Sequence, residues 1–164
     1  MTHPKAALPG VAALFLLSLH PVEAADSPLA GTWTLVAADV LRPDGVRAHD
    51  YGEAPKGLLI IDAQGRYSLQ IFDTLRPKYA SGDRSTGTAE EYKANALGIS
   101  THFGTITLDT LAHDMVLHVD AASFPNQDGG DQKRHYDLKG DELSYRVAPR
   151  QDGSIPISVW RRLN

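Results

Sequence analysis

From Leu29 onward the chain is a series of short apolar runs broken at regular intervals by turn residues. The runs occupy residues 32–41, 57–62, 66–72, 101–108, 115–121, 132–138, 142–147 and 155–163. Arg42-Pro43-Asp44-Gly45 closes the first, and Ala63-Gln64-Gly65 joins the second to the third. Lys139-Gly140-Asp141 joins the sixth to the seventh, and Gln151-Asp152-Gly153 precedes the last. Turn residues between short β-compatible runs read as hairpins. Parallel neighbours need a crossover of about a dozen residues or more, usually a helix. The spacing leaves no room for a series of such helices. The chain is therefore predicted to be all-β, with eight antiparallel strands that follow one another as a meander.

One segment departs from this pattern. Thr88-Ala89-Glu90-Glu91 opens a helical stretch that runs to Leu97, with Gly98 beyond it. Thr at the N-cap and Glu three residues on make a capping box, and Gly suits the C-terminal end. Residues 73–87 before it are polar and include Pro77 and two glycines. Loop and short helix read as an insertion between the third and fourth strands, lying across one end of the sheet. Arg76-Pro77-Lys78-Tyr79 is placed as a lid over the mouth, and Tyr92 and Leu97 on the helix are expected to pack it down.

An open sheet of this size leaves two unpaired edges, and closure into a barrel removes them. The local connections favour an up-and-down barrel over an open sandwich. A barrel of eight strands can hold one small ligand inside.

Residues 1–24 read as an export signal. His3 and Lys5 give a weakly positive start, an apolar run follows over residues 6–19, and Val22-Glu23-Ala24 suits a cleavage site. The apolar run is shorter than the roughly 20 residues that span a bilayer as a helix. Cleavage between Ala24 and Ala25 leaves residues 25–164 as the folded domain, with no stable membrane anchor. The expected location is the periplasm if the source is Gram-negative, and outside the cell otherwise. The chain has no cysteine, which excludes disulfides, thiol nucleophiles and thiolate metal sites. A net charge of −4 with no cluster of Lys and Arg argues against nucleic-acid binding.

Gly31-Thr32-Trp33 opens the first strand with a Gly-x-Trp start similar to that of lipocalins. Longer matches run through the chain: Tyr51-Gly52, Pro55-Lys56-Gly57-Leu58-Leu59-Ile60, Gly65-Arg66-Tyr67-Ser68-Leu69-Gln70-Ile71, and Arg76-Pro77-Lys78-Tyr79-Ala80-Ser81-Gly82-Asp83. They continue with Gly87-Thr88-Ala89-Glu90-Glu91-Tyr92, Phe103-Gly104-Thr105, His118-Val119, Ser123-Phe124-Pro125-Asn126, Asp131-Gln132 with Arg134, and Val159-Trp160. By these residues the chain resembles the bacterial and fungal lipocalin-like domain family over nearly all of residues 29–162. The resemblance implies a lipocalin- or calycin-like β-barrel with a central cavity. It implies little about activity. Two positions depart from the pattern: Gln127 stands where the family resemblance would have Trp, and His102 where it would have Tyr.

Strand alternation sorts the candidate site residues. In residues 132–138 the even positions Gln132, Arg134, Tyr136 and Leu138 share a face, and Tyr136 and Leu138 mark that face as inner. Arg134 is then predicted to point inward. A buried guanidinium needs a partner, either a protein carboxylate or an anionic ligand group. His102 shares a face with Gly104, Ile106 and Leu108, which also directs it inward. His118 alternates with Leu117 and Val119, so it faces solvent if Met115, Leu117 and Val119 form the core and the cavity otherwise. Phe124 and Asn126 are placed at the rim, giving one apolar wall and one amide. Trp33 and an arginine near the chain's end, Arg161 or Arg162, are expected to stack across the closed end.

No Gly-x-Ser-x-Gly, Gly-x-Gly-x-x-Gly or P-loop pattern occurs, and the histidines form no His-x-His or His-x-x-x-His pair. No cofactor and no metal site are expected. The sequence thus predicts an exported carrier of a small hydrophobic or amphipathic molecule. Arg134, His102, His118, Tyr79, Phe124, Asn126 and Tyr136 are its candidate ligand-binding residues. The alternative is a cofactor-independent isomerase, cyclase or lyase using His102, His118, Tyr79 and Arg134 as acid–base groups in the same cavity.

Overall fold

The computed structural model describes residues 27–163, so the expected export signal lies outside the described residues. Nine strands follow in chain order: β1 (Gly31–Leu41), β2 (Arg47–His49), β3 (Lys56–Ile61), β4 (Arg66–Phe72), β5 (Ile99–Asp109), β6 (Asp114–Ala122), β7 (Asp131–Lys139), β8 (Glu142–Arg146) and β9 (Ile155–Leu163). The helix α1 (Ala89–Leu97) stands between β4 and β5. Every pairing is antiparallel, β3 to β9 pair in succession, and β1 pairs with both β3 and β9. The eight long strands therefore close into a barrel, and the open sandwich is excluded.

The strand that the sequence did not disclose is β2. It has only three residues and carries no apolar run. It pairs with the far half of β1, beyond the point where β1 leaves β3. Its side chains explain its presence. Arg47 Nε donates to Asp39 Oδ2 at 2.6 Å, and His49 Nδ1 lies 2.9 Å from Asp39 Oδ1. Asp39 is 6% exposed, and β2 supplies the partners that its burial requires. Among the eight staves of the barrel, α1 follows the third, where the insertion was expected.

The capping box on α1 is complete. Glu91 N–H donates to Thr88 Oγ1 at 3.2 Å, and Thr88 N–H donates to Glu91 Oε2 at 2.8 Å. The helix buries no residue, however. Leu97 is 71% exposed, and Tyr92 reaches outward to Arg84 O through its hydroxyl. Tyr92 does pack on Tyr79 of the preceding loop, whereas the exposed Leu97 corrects the expectation that it helps pack that loop down. Capping and the flanking loop hold α1 in place, with Asn95 donating to Pro77 O at 3.1 Å. Among the described residues no helix is long and apolar enough to cross a membrane.

The interior is divided along the barrel axis. At one end Trp33 and Trp160 are fully buried with Leu29, Leu143 and Leu117. Arg162 closes this end: its guanidinium carbon lies 4.0 Å from the Trp33 ring centroid, and its Nη groups donate to Ala30 O and Pro28 O. Of the two arginines considered, it is Arg162 that stacks, because Arg161 shares the outer face of β9 and pairs with Glu142. Trp160 occupies the inner face. The other end of the barrel is not filled by side chains.

Candidate functional site

A cavity of about 570 Å³ opens at the end opposite Trp33. Its apolar wall comes from Leu69 and Ile71 on β4, Ile99 on β5, and Val147 after β8, and Ser100, Ser123, Gln127 and Ser158 add uncharged polar groups. Leu97 and Phe124 stand at its mouth. Two charged features cross this surface, one deep and one at the rim.

The deep feature is Arg134. Its place on β7 follows from the alternation of that strand, in which Arg134 and Tyr136 are buried and Lys133, His135 and Asp137 are exposed. Arg134 is 5% exposed. Its Nη2 donates to Gln132 Oε1 at 2.7 Å and lies 3.4 Å from His102 Nε2. Its guanidinium carbon stands 4.7 Å from the Tyr145 ring centroid. Nε is buried and has no hydrogen-bond partner. Among the described residues no carboxylate forms a salt bridge with Arg134: the ion pairs there involve other arginines, lysines and histidines. Of the two partners a buried guanidinium could have, the protein one is missing.

His102 sits behind the guanidinium and is equally buried, at 5% exposure. Its Nδ1 is 2.8 Å from the Tyr67 hydroxyl, and the two rings meet edge to face. Arginine only donates, so the nitrogen facing Arg134 accepts and Nδ1 carries the proton toward Tyr67. Burial, and next the positive charge of Arg134, push the His102 pKa down to about 3. Burial pushes the Tyr67 hydroxyl up to about 12. Both groups are neutral near pH 7, and neither is poised to exchange a proton there.

At the rim, Asp50 and Arg150 form a two-pronged pair, with Nη1 donating to Oδ1 at 3.0 Å and Nη2 to Oδ2. The pair links the segment after β2 to the loop before β9. Its charges cancel.

Of the seven residues singled out from the sequence, Arg134, His102 and Phe124 line this cavity. The other four are placed elsewhere, and the expectation that they face the cavity is corrected. His118 lies on the outer face of β6, where its Nδ1 is 2.6 Å from Asp131 and its Nε2 is 3.0 Å from Thr107. Met115, Leu117 and Val119 are buried, so alternation sends His118 out. Tyr79 packs on Tyr92 at 5.6 Å between centroids, outside the barrel, so the loop that carries it is no lid over this cavity. Tyr136 is inward but at the wrong height: it lies against His113 in the β5–β6 turn. Asn126 falls in a short 3-10 turn, and the neighbouring Gln127 reaches the cavity instead.

Sequence reasoning set Gln132 on the inner face without naming it as a site residue, and it missed Tyr67 and Tyr145. Tyr67 shares a face with the buried Leu69 and Ile71, so its signal was periodicity. Gly104, on the same face as His102, serves a bend. A side chain there would stand 1.9 Å from the His118 carbonyl oxygen, at the irregular step between Phe103 and Gly104 in the β5–β6 ladder.

A family model described as lipocalin-like domain matches residues 30–163. Among solved structures, a lipocalin-like protein from Bacteroides uniformis is 16% identical, with a TM-score of 0.41, covering 82% of this chain and 98% of that one. An uncharacterized protein from Bacteroides eggerthii is 13% identical, with the same TM-score of 0.41 and the same coverage, 82% and 98%. A chain described as REP1-NXSQ fatty acid transporter is 16% identical, with a TM-score of 0.36, over 83% of this chain and 96% of that one. A comparison with curated protein sequences gives no match.

Proposed function

The chain belongs to the lipocalin-like domain family, and from that premise we propose that it carries a small, mostly apolar molecule inside the barrel, its polar or anionic end on Arg134. The observation that supports this most is the buried guanidinium with an unpartnered Nε and no carboxylate beside it. An isolated buried charge costs several kcal/mol unless something compensates it. A ligand entering from the open end meets apolar walls first and Arg134 at depth. The cavity volume falls in the ordinary range for small-molecule sites. The test is native mass spectrometry of the purified protein, followed by displacement of a fluorescent apolar anion such as anilinonaphthalene sulfonate. One-to-one complexes and competitive displacement are expected. A protein that binds no apolar probe would refute the carrier reading.

We propose also that the chain is exported, to the periplasm in a Gram-negative source and to the medium otherwise. The support is the ordering of residues 1–24: a weak positive start, a short apolar run and a small-residue cleavage site. The mass of the protein recovered from outside the cytoplasm is expected to correspond to a chain beginning at Ala25.

One observation favours a second reading. His102 and Arg134 meet in a single cavity, which is what a cofactor-independent isomerase, cyclase or lyase needs. The protonation states weigh against it, because an imidazole held near pKa 3 is a weak base. Turnover of a carbonyl or enolisable substrate, lost in His102→Gln with binding retained, would reverse that preference.

A further inference from the structure

We infer that the group seated on Arg134 is a monocarboxylate, and that the barrel selects its ligand by charge count as well as by apolar fit. This rests on the carrier reading above and names the class of ligand.

The charges that line the cavity are few. They are Asp50, Arg150 and Arg134, and His102 adds none because it is neutral. Asp50 and Arg150 neutralise each other at the rim. One positive charge remains, it is deep, and its immediate neighbours are all uncharged: Gln132, His102 and the face of Tyr145. One negative charge on the ligand balances it. Two leave a surplus charge with no partner in a low-dielectric site, and none leaves Arg134 as it is now.

The hydrogen-bonding sense narrows the group further. Gln132 turns its oxygen to Arg134, so its amide nitrogen, with two donors, remains. The accepting nitrogen of His102 also faces Arg134, and its other nitrogen faces Tyr67. The acceptors around the guanidinium are already engaged. What they leave is a set of donors: the guanidinium N–H groups not turned to Gln132 or His102, and the amide of Gln132. A group that only accepts suits such a floor, and an ionised carboxylate is that group. A hydroxyl brings its own proton to a place that has donors enough.

The test compares three molecules with the same decyl body: decanoate, decanol and decyl phosphate. Each displaces the same fluorescent probe from the intact domain. Near pH 8 decyl phosphate is mostly a dianion, because the second phosphate pKa is about 6. Decanoate is expected to bind at least about tenfold more tightly than either competitor, the scale of a charge-assisted hydrogen bond. Equal binding of decanol and decanoate, or tighter binding of the dianion, would overturn the inference while leaving the carrier reading intact. If none of the three displaces the probe and none binds directly, the carrier reading fails and the inference falls with it.

A variant supplies the second arm. Gln132→Glu is nearly isosteric and places on Arg134 the carboxylate that it lacks. The variant is expected to melt no lower than the parent and to lose the preference for decanoate over decanol. His118→Ala, on the outer face, is expected to keep that preference. Retention of it in Gln132→Glu would show that the charge of Arg134 is not what the ligand reads.

Discussion

Replacing Arg134 by leucine separates a ligand-binding arginine from a scaffolding one. The substitution removes one hydrogen bond from a charged donor, the one to Gln132 at 2.7 Å, worth about 1.5–3 kcal/mol. It also removes the stacking on Tyr145, 4.7 Å away, worth about 0.5–2 kcal/mol. Against these losses stands the relief of a buried, half-satisfied charge, a penalty of several kcal/mol in a folded protein. Gln132 is only half-buried, so water from the cavity can satisfy its oxygen once the guanidinium is gone. The terms nearly cancel, and the change in stability is expected to lie within about 1 kcal/mol of zero, or within about 5 °C in melting temperature for a domain of this size. Affinity for a carboxylate ligand is expected to fall by about 1.5–3 kcal/mol, or roughly 10- to 150-fold. Thermal unfolding followed by circular dichroism and probe displacement, both on the same preparation, measure the two quantities. A stability loss above about 3 kcal/mol, the cost of stranding a buried partner charge, with binding unchanged would refute the reasoning. It would mean that Arg134 holds the barrel together.

Other perturbations test the remaining parts of the account. His102 has a folded pKa of about 3 against 6.5 for the free side chain. The unfolded chain therefore takes up a proton between these values and the folded one does not, so stability is full above about pH 6.5 and falls as pH drops below it, by about 2 kcal/mol at pH 5. Urea unfolding across that range is expected to show the slope in the parent and to lose most of it in His102→Gln; an unchanged slope in the variant would assign the effect to other groups. Arg162→Ala removes the stacking on Trp33 and the bonds to Ala30 and Pro28, and is expected to cost about 2–4 kcal/mol by urea unfolding, whereas less than about 1 kcal/mol would make this closure incidental. Gly104→Ala sets a methyl against the His118 carbonyl oxygen at 1.9 Å; a loss of about 3 kcal/mol or more in thermal unfolding is expected, and a variant of parental stability would show that the ladder can shift to make room.

How much of this could be read from the residues divides along a geometric line. Alternation in a strand fixes which face a side chain takes, because its period is two. That was enough to send Arg134 and His102 inward. It says nothing about height along the barrel axis, which depends on how far each strand is staggered against the next. Tyr136 shows the difference: it shares a face with Arg134 and lies two residues on, yet it packs on His113 and not in the cavity. The partners of Arg134 were hidden for the same reason, since His102 and Tyr145 come from β5 and β8, whose register with β7 no local pattern encodes. His118 was left open by alternation until burial of Met115, Leu117 and Val119 decided its face. The capping box of α1 was legible to the residue because it is wholly local. The short β2 left no apolar signature, for its purpose is to bring Arg47 and His49 to Asp39.

The pairing of β1 with β9 has a bearing on when the domain can fold. Thr32 finds its neighbour in Leu163, so the seam joins the first of the described strands to the last. Roughly 130 residues must be held in a loop before those two segments meet, and contacts of that separation form late. Until β9 has been delivered, the growing chain has two open sheet edges and no sealed interior. Such a chain stays threadable from end to end during synthesis. The barrel's interior is therefore sealed only after every other described strand has been made.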